Sequence, residues 1–528
     1  MYRYSNGQIS LSDFKQPVGM NLKENNRWVK KAQIIPWTEI EKRYAALFTN
    51  RKGNVAKPLR LALGACIIQA EYGYSDEETA LQIQENPYLQ YFCGYDGYND
   101  EKLPFEPSLM VYFRKRLTPA VLGEINEMIL KKEMDRRQKE KSDDDNSNED
   151  NESNDSSTDN NESNENNDST DNNNGSNGDS NNGSDDHSST DNTTRADSNE
   201  DSNSGTLILD ATCAPSQIRY PQDVSLLNEA RENAEKIIDD IYAESDEKKP
   251  RTYRKNARKD YLKYAKSRKH TAKSTRSAIR KQLNYLRRDI SIIDRALESG
   301  IELPTKHASK LQTMRTVYEQ QKSMYDNRTH TVADRIVSFS QPFVRPIVRG
   351  KAGKPVEFGA KLDISVADGW TRLEYYSFDA YNEATKLQDA VERYREREGH
   401  YPARVLADKI YRNRGNLSYC KLHGIRLSGP SLGRPKKDEQ HDKAQDYRDE
   451  CERVEVERRF SLAKRKCGMG LITARLRETA AHVIALSVIV LNLRRIQHDF
   501  LRRFSDFFWP FGFVGNKWFS AGKIGFVQ

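Results

Sequence analysis

Two aspartates stand where the chain could hold a metal ion. Asp210 directly follows the apolar, partly β-branched run Thr206–Leu209, and Asp408 directly follows a second short run at 404–407. Such runs predict buried strands, and the sites of open sheets form at the carboxyl ends of strands. Two carboxylates there repel each other unless a cation lies between them, and Mg²⁺ takes oxygen ligands of this kind. An aspartate after a strand is also often only a turn or cap residue, so both interpretations stay open.

A third acid comes from a long helix predicted over about 438–466. At about 100° per residue, Arg453, Glu457 and Lys464 fall on nearly the same helical face. An acid between two cations on one stripe can hold a metal ion and grip the adjacent phosphates. Ordinary i,i+4 charge pairs on an exposed helix give the same pattern, and they remain the alternative from this helix alone.

A long basic run lies between residues 248 and 288. It contains 17 Lys or Arg and one acid, Asp260, with four tyrosines interleaved. A solvated coiled-coil face usually mixes both signs, so the run favours contact with a phosphate backbone. The candidate DNA-binding residues in it are Arg254, Lys255, Arg258, Lys259, Arg268 and Lys269.

Charge is distributed unevenly along the 528 residues. The segment 142–204 holds 19 acidic residues and one basic residue and has no large apolar side chain, which predicts disorder. Because the whole chain carries +7 and this segment −18, the remainder carries +25. That charge predicts a polyanionic partner, with nucleic acid as the first candidate and an anionic membrane surface as the second. The six cysteines include no C-x-x-C pair, which argues against a structural zinc site or a disulfide framework.

The hydrophobic pattern divides the chain into five parts. They are an extended N-terminal arm (1–33), a helical N-terminal domain (34–135), a disordered linker (140–204), an α/β domain (205–498) with a basic helical insertion (225–327), and an aromatic tail (499–528). The N-terminal domain fits either a plain helical bundle or a DNA-end-binding domain. Within the α/β domain we predict strands at 206–210, 356–366, 372–378 and 404–407, and helices at 382–397, 438–466 and 475–497.

No segment predicts targeting to a membrane. The N-terminus "MYRYSNGQIS" lacks an apolar signal core. The most apolar window, "AAHVIALSVIVLNL" at 480–493, is too short to span a bilayer and predicts a buried helix. We therefore expect a cytoplasmic protein.

Four blocks, in this order, resemble the bacterial insertion-sequence DDE transposases, which belong to the broad superfamily with an RNase H-like catalytic domain. The blocks are "LILDATCAPSQIRYPQDVSLLNEAR", "GAKLDISVADGW" with "YNEATKL", "VLADKIYRNRGNLSYCKLHGIRLSGPSLGRPKK", and "ERRFSLAKRKCGMGLITARL". They resemble the first-Asp block, the sheet region, the second-Asp block and the Glu block of the family. The similarity covers roughly 205–495, and the helical region 34–135 resembles the N-terminal, DNA-binding domain of these proteins.

The resemblance implies a fold and a metal site. The fold is an RNase H-like α/β domain, a mixed sheet flanked by helices with a long helical insertion after its first strand, preceded by an all-α domain. Asp210, Asp408 and Glu457 are implied as the catalytic, metal-binding triad for two Mg²⁺ ions, which Mn²⁺ can replace.

The resemblance also assigns two cations on the predicted long helix. Arg453 and Lys464 match the arginine and lysine of the signature Y-x2-R-x3-E-x6-K, and would fix backbone phosphates near the scissile bond. The tyrosine of the signature is not matched: Glu450 stands there, and the nearest tyrosine is Tyr447.

The implied activity is DNA transposition. Two metal ions about 4 Å apart let water free a 3′-hydroxyl at the end of the element, and that hydroxyl then attacks target DNA. The implied partners are terminal inverted repeats, target DNA and further copies of the chain, with no membrane and a nucleoid-associated location. The alternatives are a nuclease that cleaves without joining, an inactive or domesticated DNA-binding derivative, and an RNA-binding or scaffold protein that uses the basic region.

Overall fold

The computed structural model covers most of the chain outside the acidic segment. It describes residues 1–5, 8–49, 53–149, 203–243, 248–348, 356–430, 432–433 and 443–508. Residues 134–149 belong to a unit of their own and are described by themselves. The acidic stretch 150–202 and the end of the aromatic tail, 509–528, lie outside the described residues.

The N-terminal region is helical, as predicted. Its helices are α1 (Arg27–Ile34), α2 (Trp37–Ala45), α3 (Leu59–Tyr72), α4 (Asp76–Glu85), α5 (Pro87–Phe92), α6 (Leu109–Arg116) and α7 (Pro119–Glu149). Side-chain caps begin several of them: Asn26 accepts from the backbone N–H of Trp28, Ser75 from that of Glu78, and Asn86 from that of Tyr88. Helix α3 is buried along almost its whole length, so it forms the centre of this region.

Two predicted boundaries of the N-terminal half are wrong. The arm 1–33 is not extended throughout, because the Asn26 cap starts α1 at Arg27 and because Phe14 and Leu22 are buried. Helix α7 continues to Glu149, ten residues into the segment 140–204 that was predicted as a disordered linker. An i,i+4 ion pair between Arg136 and Glu140 supports the helix across that boundary.

A six-stranded mixed sheet forms the centre of the C-terminal region. Its strands are β1 (Thr206–Pro215), β2 (Arg345–Val348), β3 (Val356–Ala367), β4 (Trp370–Ser377), β5 (Arg404–Ala407) and β6 (Arg426–Leu427). They are ordered β2-β3-β1-β5-β6, and β4 also pairs with β3. Strands β1, β5 and β6 are parallel, whereas β3 is antiparallel to each of its three partners. The mixed sheet of the predicted α/β class is therefore confirmed.

The sequence predicts that strand β1 ends at Asp210, but the strand continues to Pro215. It pairs with β5 only from Thr206 to Leu209, but with β3 from Leu207 to Pro215. Strand β3 thus supplies hydrogen-bonding partners for five residues beyond Asp210, which keeps the chain extended there. Asp210 is the first residue of β1 past its parallel neighbour, rather than the last residue of the strand.

A tight hairpin joins β3 to β4 at the predicted turn. Asp368 and Gly369 both have positive φ angles, +50° and +74°. That pair of angles is the one a two-residue hairpin of the favoured twist requires, and Asp-Gly is among the dipeptides that best adopt it.

Four helices occupy the predicted insertion. They are α8 (Asp223–Ala243), α9 (Arg254–Ala265), α10 (Ala272–Glu298) and α11 (Thr305–Asn327). Helices α8, α10 and α11 share a buried apolar core that includes Ile237, Leu286, Ile293 and Met314. The insertion therefore has a hydrophobic core of its own, separate from the one on the sheet.

The remaining helices cover the sheet. They are α12 (Leu387–Glu398, preceded by a 3₁₀ turn), α13 (Arg414–Leu422, preceded by the 3₁₀ helix Lys409–Tyr411), α14 (Lys443–Lys466) and α15 (Arg477–Phe508). The apolar face of α12 packs on β1 and β5 through Val391 and Tyr394. Residues 438–442 of the predicted long helix lie outside the described residues, as do residues beyond 508.

Helix α15 is the long apolar element of the structure. Among the described residues, Arg477–Phe500 is the segment with the length and composition to cross a membrane, and 83% of its most apolar window is buried in protein. A core helix passes the same test of length and composition. The window 480–493 is buried except for a half-buried Val483, as the sequence analysis predicted.

A buried asparagine on α15 joins the helical N-terminal region to the sheet. Asn492 Nδ2 donates to the side-chain oxygen of Asn126 on α7 (2.9 Å) and to the carbonyl oxygen of Thr371 on β4 (2.8 Å). Asn492 Oδ1 accepts from the backbone N–H of Thr371 (3.0 Å). All three residues are buried, so each of these groups depends on the others for its hydrogen bonds.

Replacing Asn492 with leucine is expected to lower the free energy of unfolding by about 2–4 kcal/mol, because it leaves buried groups of Thr371 and Asn126 without partners. Chemical denaturation measures the change. Asn284→Ala on the exposed side of α10 serves as the control and should stay within about 0.5 kcal/mol of the parent. Equal stability of Asn492→Leu and the control would contradict this assignment.

Candidate active site

The pairing of β1 with β5 sets the two aspartates side by side. The last matched pair of these parallel strands is Leu209 with Ala407. Asp210 and Asp408 are the next residues on the two strands, so they follow the same rung of the sheet. Asp408 Oδ1 also accepts from the backbone N–H of Lys409 (2.6 Å) and caps the 3₁₀ helix there. Asp408 is thus a helix cap and a neighbour of Asp210 at once.

Helix α14 brings the third predicted acid to the same place. Arg453 Nη1 lies 3.9 Å from Asp210 Oδ2 and 3.6 Å from Glu457 Oε1. One guanidinium therefore faces two carboxylates that are 247 positions apart in sequence. The side chain of Glu457 is 56% exposed and that of Asp210 20%, so the site opens to solvent on the side of α14.

Lys464 reaches β1 two residues beyond Asp210. Its Nζ donates to Thr212 Oγ1 at 2.9 Å. Alternate residues of a strand share a face, so Thr212 and Asp210 point to the same side of the sheet. The predicted stripe of Arg453, Glu457 and Lys464 on one helical face therefore lies along the α14 side of β1.

The electrostatics of Asp210 reflect this convergence. Its pKa is raised to about 6, mainly by burial and further by the negative charges of Asp408 and Glu457. A hydrogen bond from the backbone N–H of Ala211 (2.7 Å) and the charge of Arg453 act in the opposite direction. The site thus carries more negative charge than Arg453 alone compensates.

The residues present fit a divalent cation in donor type and in charge. All three acids offer carboxylate oxygens, which Mg²⁺ prefers, and a cation would relieve their mutual repulsion, which adds to the effect of burial on the pKa of Asp210. Within the described part of the chain, no group of three His, Cys, Asp or Glu side chains is arranged so that it could hold a metal ion as it stands. In this arrangement the guanidinium of Arg453 faces two of the three acids.

Two buried residues beneath the site were missed by the sequence analysis. The hydroxyl of Tyr411 donates to Asp363 Oδ1 (3.5 Å), and the backbone carbonyl of Tyr411 accepts from Asn416 Nδ2 (2.8 Å). Asp363 lies on β3 opposite Ala211, and burial raises its pKa to about 7. These contacts fix the turn that follows Asp408 onto the sheet. The sequence signal that could have identified Asp363 is an aspartate inside the apolar strand "AKLDISV".

The candidate residues of the basic insertion fall into two groups. The side chain of Arg254 is engaged within the fold, because it donates to both carboxylate oxygens of Asp239 (3.0 and 2.7 Å). The other five are exposed and make no side-chain hydrogen bond or ion pair with the described residues; they are Lys255, Arg258, Lys259, Arg268 and Lys269. These five side chains present positive charge to solvent on α9 and the turn after it.

Comparison with known proteins finds two family matches. A family described as "Transposase DDE domain" matches residues 405–494, which include Asp408, Arg453, Glu457 and Lys464 but not Asp210. A family described as "Transposase domain (DUF772)" matches residues 18–116, which include α1 to α6. The two matches cover helix α14 of the candidate site and helices α1 to α6 of the N-terminal region.

One curated relative is similar over a shorter stretch. It is the "Uncharacterized protein ORF8 in nfe locus" of Rhizobium meliloti, 31% identical over 123 residues. The match covers 23% of this chain and 58% of the length of that relative. No solved structure matches the chain.

The raised pKa of Asp210 predicts a pH-dependent effect of its replacement. Because folding raises this pKa from its usual value to about 6, the stability of the parent protein decreases as pH rises towards and through 6. We expect Asp210→Asn, in a metal chelator, to be more stable than the parent at pH 7 by up to about 3 kcal/mol. The difference should shrink as pH falls below 4.

Urea denaturation at pH 4 and at pH 7 measures this difference. The control is Glu396→Gln on an exposed position of α12, which should stay within about 0.5 kcal/mol of the parent at both pH values. If Asp210→Asn is no more stable than the parent at pH 7, the ionised carboxylate of Asp210 does not destabilise the folded protein, and this prediction is wrong.

Proposed function

We propose that this chain, whose resemblance to the insertion-sequence DDE transposases is confirmed by its two family matches, is an active DNA transposase. It binds the ends of its mobile element and catalyses metal-dependent cleavage and strand transfer. The chain spans 58% of the length of its curated relative, which is itself uncharacterized, so the activity rests on the site.

One observation carries the proposal. Acids from three distant parts of the chain meet at one edge of the β1–β5 pair: Asp210 and Asp408 follow the same rung, and Arg453 links Asp210 to Glu457. A largely buried carboxylate at Asp210 beside two further carboxylates is costly unless a cation compensates the charges. A structural role would be served better by apolar or neutral side chains, so the arrangement favours a site that works on a charged substrate with a bound cation.

Asp210, Asp408 and Glu457 are the residues that would hold the metal, two Mg²⁺ ions that Mn²⁺ can replace. Bound there, divalent ions activate an oxygen nucleophile and stabilise the leaving oxygen of a phosphodiester. Tyr411 and Asp363 support the site from below, because they fix the turn after Asp408. No proton transfer by these two residues is required.

The cations of α14 would position the DNA backbone. Arg453 can turn from its two carboxylates to a phosphate once a metal neutralises the acids, since a guanidinium binds phosphate in the same bidentate way as carboxylate. Lys464, held at Thr212, places a second positive charge along β1. Such contacts fix the register of the DNA and carry no sequence information.

The order of the strands supports an RNase H-like catalytic domain. A three-stranded antiparallel part, β1 with the β3–β4 hairpin, is extended by the parallel strands β5 and β6, and the helical insertion interrupts the chain between β1 and β2. The proposal includes a homo-oligomer on DNA, because two element ends must be joined at one target. It also includes a location at the nucleoid in the cytoplasm, where the DNA lies.

Replacing a triad acid with its neutral amide is expected to abolish cleavage but not end binding. Asp210→Asn, Asp408→Asn and Glu457→Gln should each lower the rate of Mg²⁺-dependent nicking at an element end at least about 100-fold, because each loses part of the metal site. A gel assay on a labelled end gives the nicking rate and, in the same samples, the affinity for the end.

Glu396→Gln is the matched control for these variants and should nick at the parental rate. Parental nicking by Asp210→Asn would refute the catalytic assignment. A parent protein that nicks but never joins the freed 3′-end to target DNA would instead be a nuclease, and one that binds without nicking would be a DNA-binding derivative of a transposase.

The exposed cations of α9 predict a change in the salt dependence of DNA binding. Arg258→Gln with Lys259→Gln removes two positive charges that have no ionic partner among the described residues. The slope of log affinity against log salt should become shallower by about two, since each phosphate contact contributes about 0.9. Fluorescence anisotropy over a salt series measures the slope.

The control for this pair removes the same charge elsewhere on the surface. Arg395→Gln on α12 with Lys421→Gln on α13 replaces two exposed cations on the helices that cover the other side of the sheet. An equal effect of both double variants would mean that net charge, rather than the α9 surface, determines binding.

A further inference from the structure

A second concentration of positive charge lies in a cleft between the N-terminal helix α1 and the end of α15. The cleft has a volume of about 730 Å³, and α14 forms one of its walls. We call it the α1/α15 cleft; its principal lining residues are Arg27, Lys30, Arg459, Leu462, Arg494 and His498. None of these residues belongs to the candidate active site or to the basic insertion.

The walls of the cleft are fixed by contacts between α1, α3 and α15. Gln497 Nε2 donates to the backbone carbonyl of Arg27 (2.5 Å), which ties α15 to the start of α1. Behind this contact, Lys31 forms a buried ion pair with Glu71 of α3. The cleft is thus formed by packed helices rather than by a loop.

The acids near the cleft are already engaged. Glu71 pairs with Lys31, Asp499 lies 3.6 Å from Arg495, and Glu455 pairs with Arg459. The guanidinium of Arg27 has a neutral partner, the hydroxyl of Tyr72. The exposed side chain of Arg494 forms no hydrogen bond or ion pair with the described residues, and positive charge therefore remains in excess.

Burial and the positive charge of the cleft both lower the pKa of a buried lysine behind it. The pKa of Lys31 is lowered, mainly by burial, and the repulsion of Arg494 and Arg27 adds to that effect against the attraction of Glu71. A further donor also lacks a partner: the Nε–H of Arg459, whose side chain is 12% exposed, is buried without a hydrogen bond in the described part.

The form of the cleft favours a phosphate backbone over a small anion. Its cations are spread along the walls of three helices instead of meeting at one point. Phe500, 41% exposed, lies beside the cleft with Lys30 Nζ 4.5 Å from its ring centre, which adds an apolar surface next to the charge. Guanidinium groups with open N–H donors match phosphate oxygens in geometry as well as in charge.

The position of the cleft relates it to the reaction. Arg459 and Glu457 are two residues apart on α14, so at about 100° per residue they point to different sides of the same helix. One helix therefore separates the cleft from the candidate active site. DNA that lies in the cleft would pass the reaction centre at the distance of about one helix diameter.

We propose that the α1/α15 cleft binds the phosphate backbone of double-stranded DNA, as a second contact surface apart from the basic insertion. The inference rests on the proposed function, since it assigns a second surface that contacts the DNA bound at the candidate active site. Arg27 and Arg494 contribute the contacts to phosphate, and Arg459 lies in the wall that α14 forms.

The test compares two double variants of the full-length protein on one labelled duplex that carries an element end. Arg27→Gln with Arg494→Gln removes two cleft cations that have no acidic partner among the described residues, whereas Arg395→Gln with Lys421→Gln removes the same charge on α12 and α13. The cleft variant should make the slope of log affinity against log salt shallower by about two. The control should retain the parental slope.

Cross-linking provides a second measurement that does not depend on the two double variants. In a Cys451→Ser background, which removes the exposed native thiol of the described residues, His498→Cys places a thiol on an exposed position in the cleft for a photoreactive label. We expect this label to cross-link to duplex DNA, and millimolar inorganic phosphate should not compete. Competition by phosphate at that concentration would identify a small-anion site and overturn the proposal.

The outcomes separate this inference from the proposed function. If the cleft variant keeps the parental slope and the label does not cross-link, while Asp210→Asn still abolishes nicking, the cleft inference is refuted and the transposase stands. If the parent neither binds nor nicks the element end, both are refuted. If the parent binds DNA through the cleft but does not nick, the cleft inference stands and the catalytic proposal fails.

Discussion

The structure around the site depends on the parallel pairing of β1 with β5. That pairing ends at Leu209 and Ala407, and so it delivers two aspartates to adjacent positions at the edge of the apolar core. Burial there raises the pKa of Asp210, and the negative charge of Asp408 adds to that effect. Two groups partly compensate the negative charge of Asp210: Arg453 approaches from α14, and the Ala211 N–H donates to one carboxylate oxygen.

Helix α14 lies between the candidate active site and the α1/α15 cleft. One side carries Arg453, Glu457 and Lys464 to β1, and another side carries Arg459 and Leu462 to the α1/α15 cleft. Because a helix is rigid over this length, DNA held in the cleft would be positioned relative to the acids. Helix α15 completes the arrangement, since Asn492 and Gln497 attach it to both the sheet and the N-terminal helices.

Local pattern was sufficient for some elements and insufficient for others. Strand β5 was predicted with its observed bounds, because its apolar run, its length and the following aspartate are all local signals. Strand β1 was predicted to end five residues early, because the partner that extends it, β3, is more than 140 positions away in sequence. The arm before α1 was predicted as extended for a related reason: the burial of Phe14 and Leu22 depends on the tertiary fold.

The sequence by itself determined the residues that share a helical face and the residues that follow apolar strands, since both depend on the fixed geometry of regular structure. It thereby identified Asp210, Asp408 and the stripe on α14. Only the tertiary structure decided that Arg453 faces Asp210, that Arg254 pairs with Asp239, and that Tyr411 and Asp363 support the site. It alone also formed the α1/α15 cleft, because contacts between elements hundreds of positions apart depend on packing, which no local periodicity encodes.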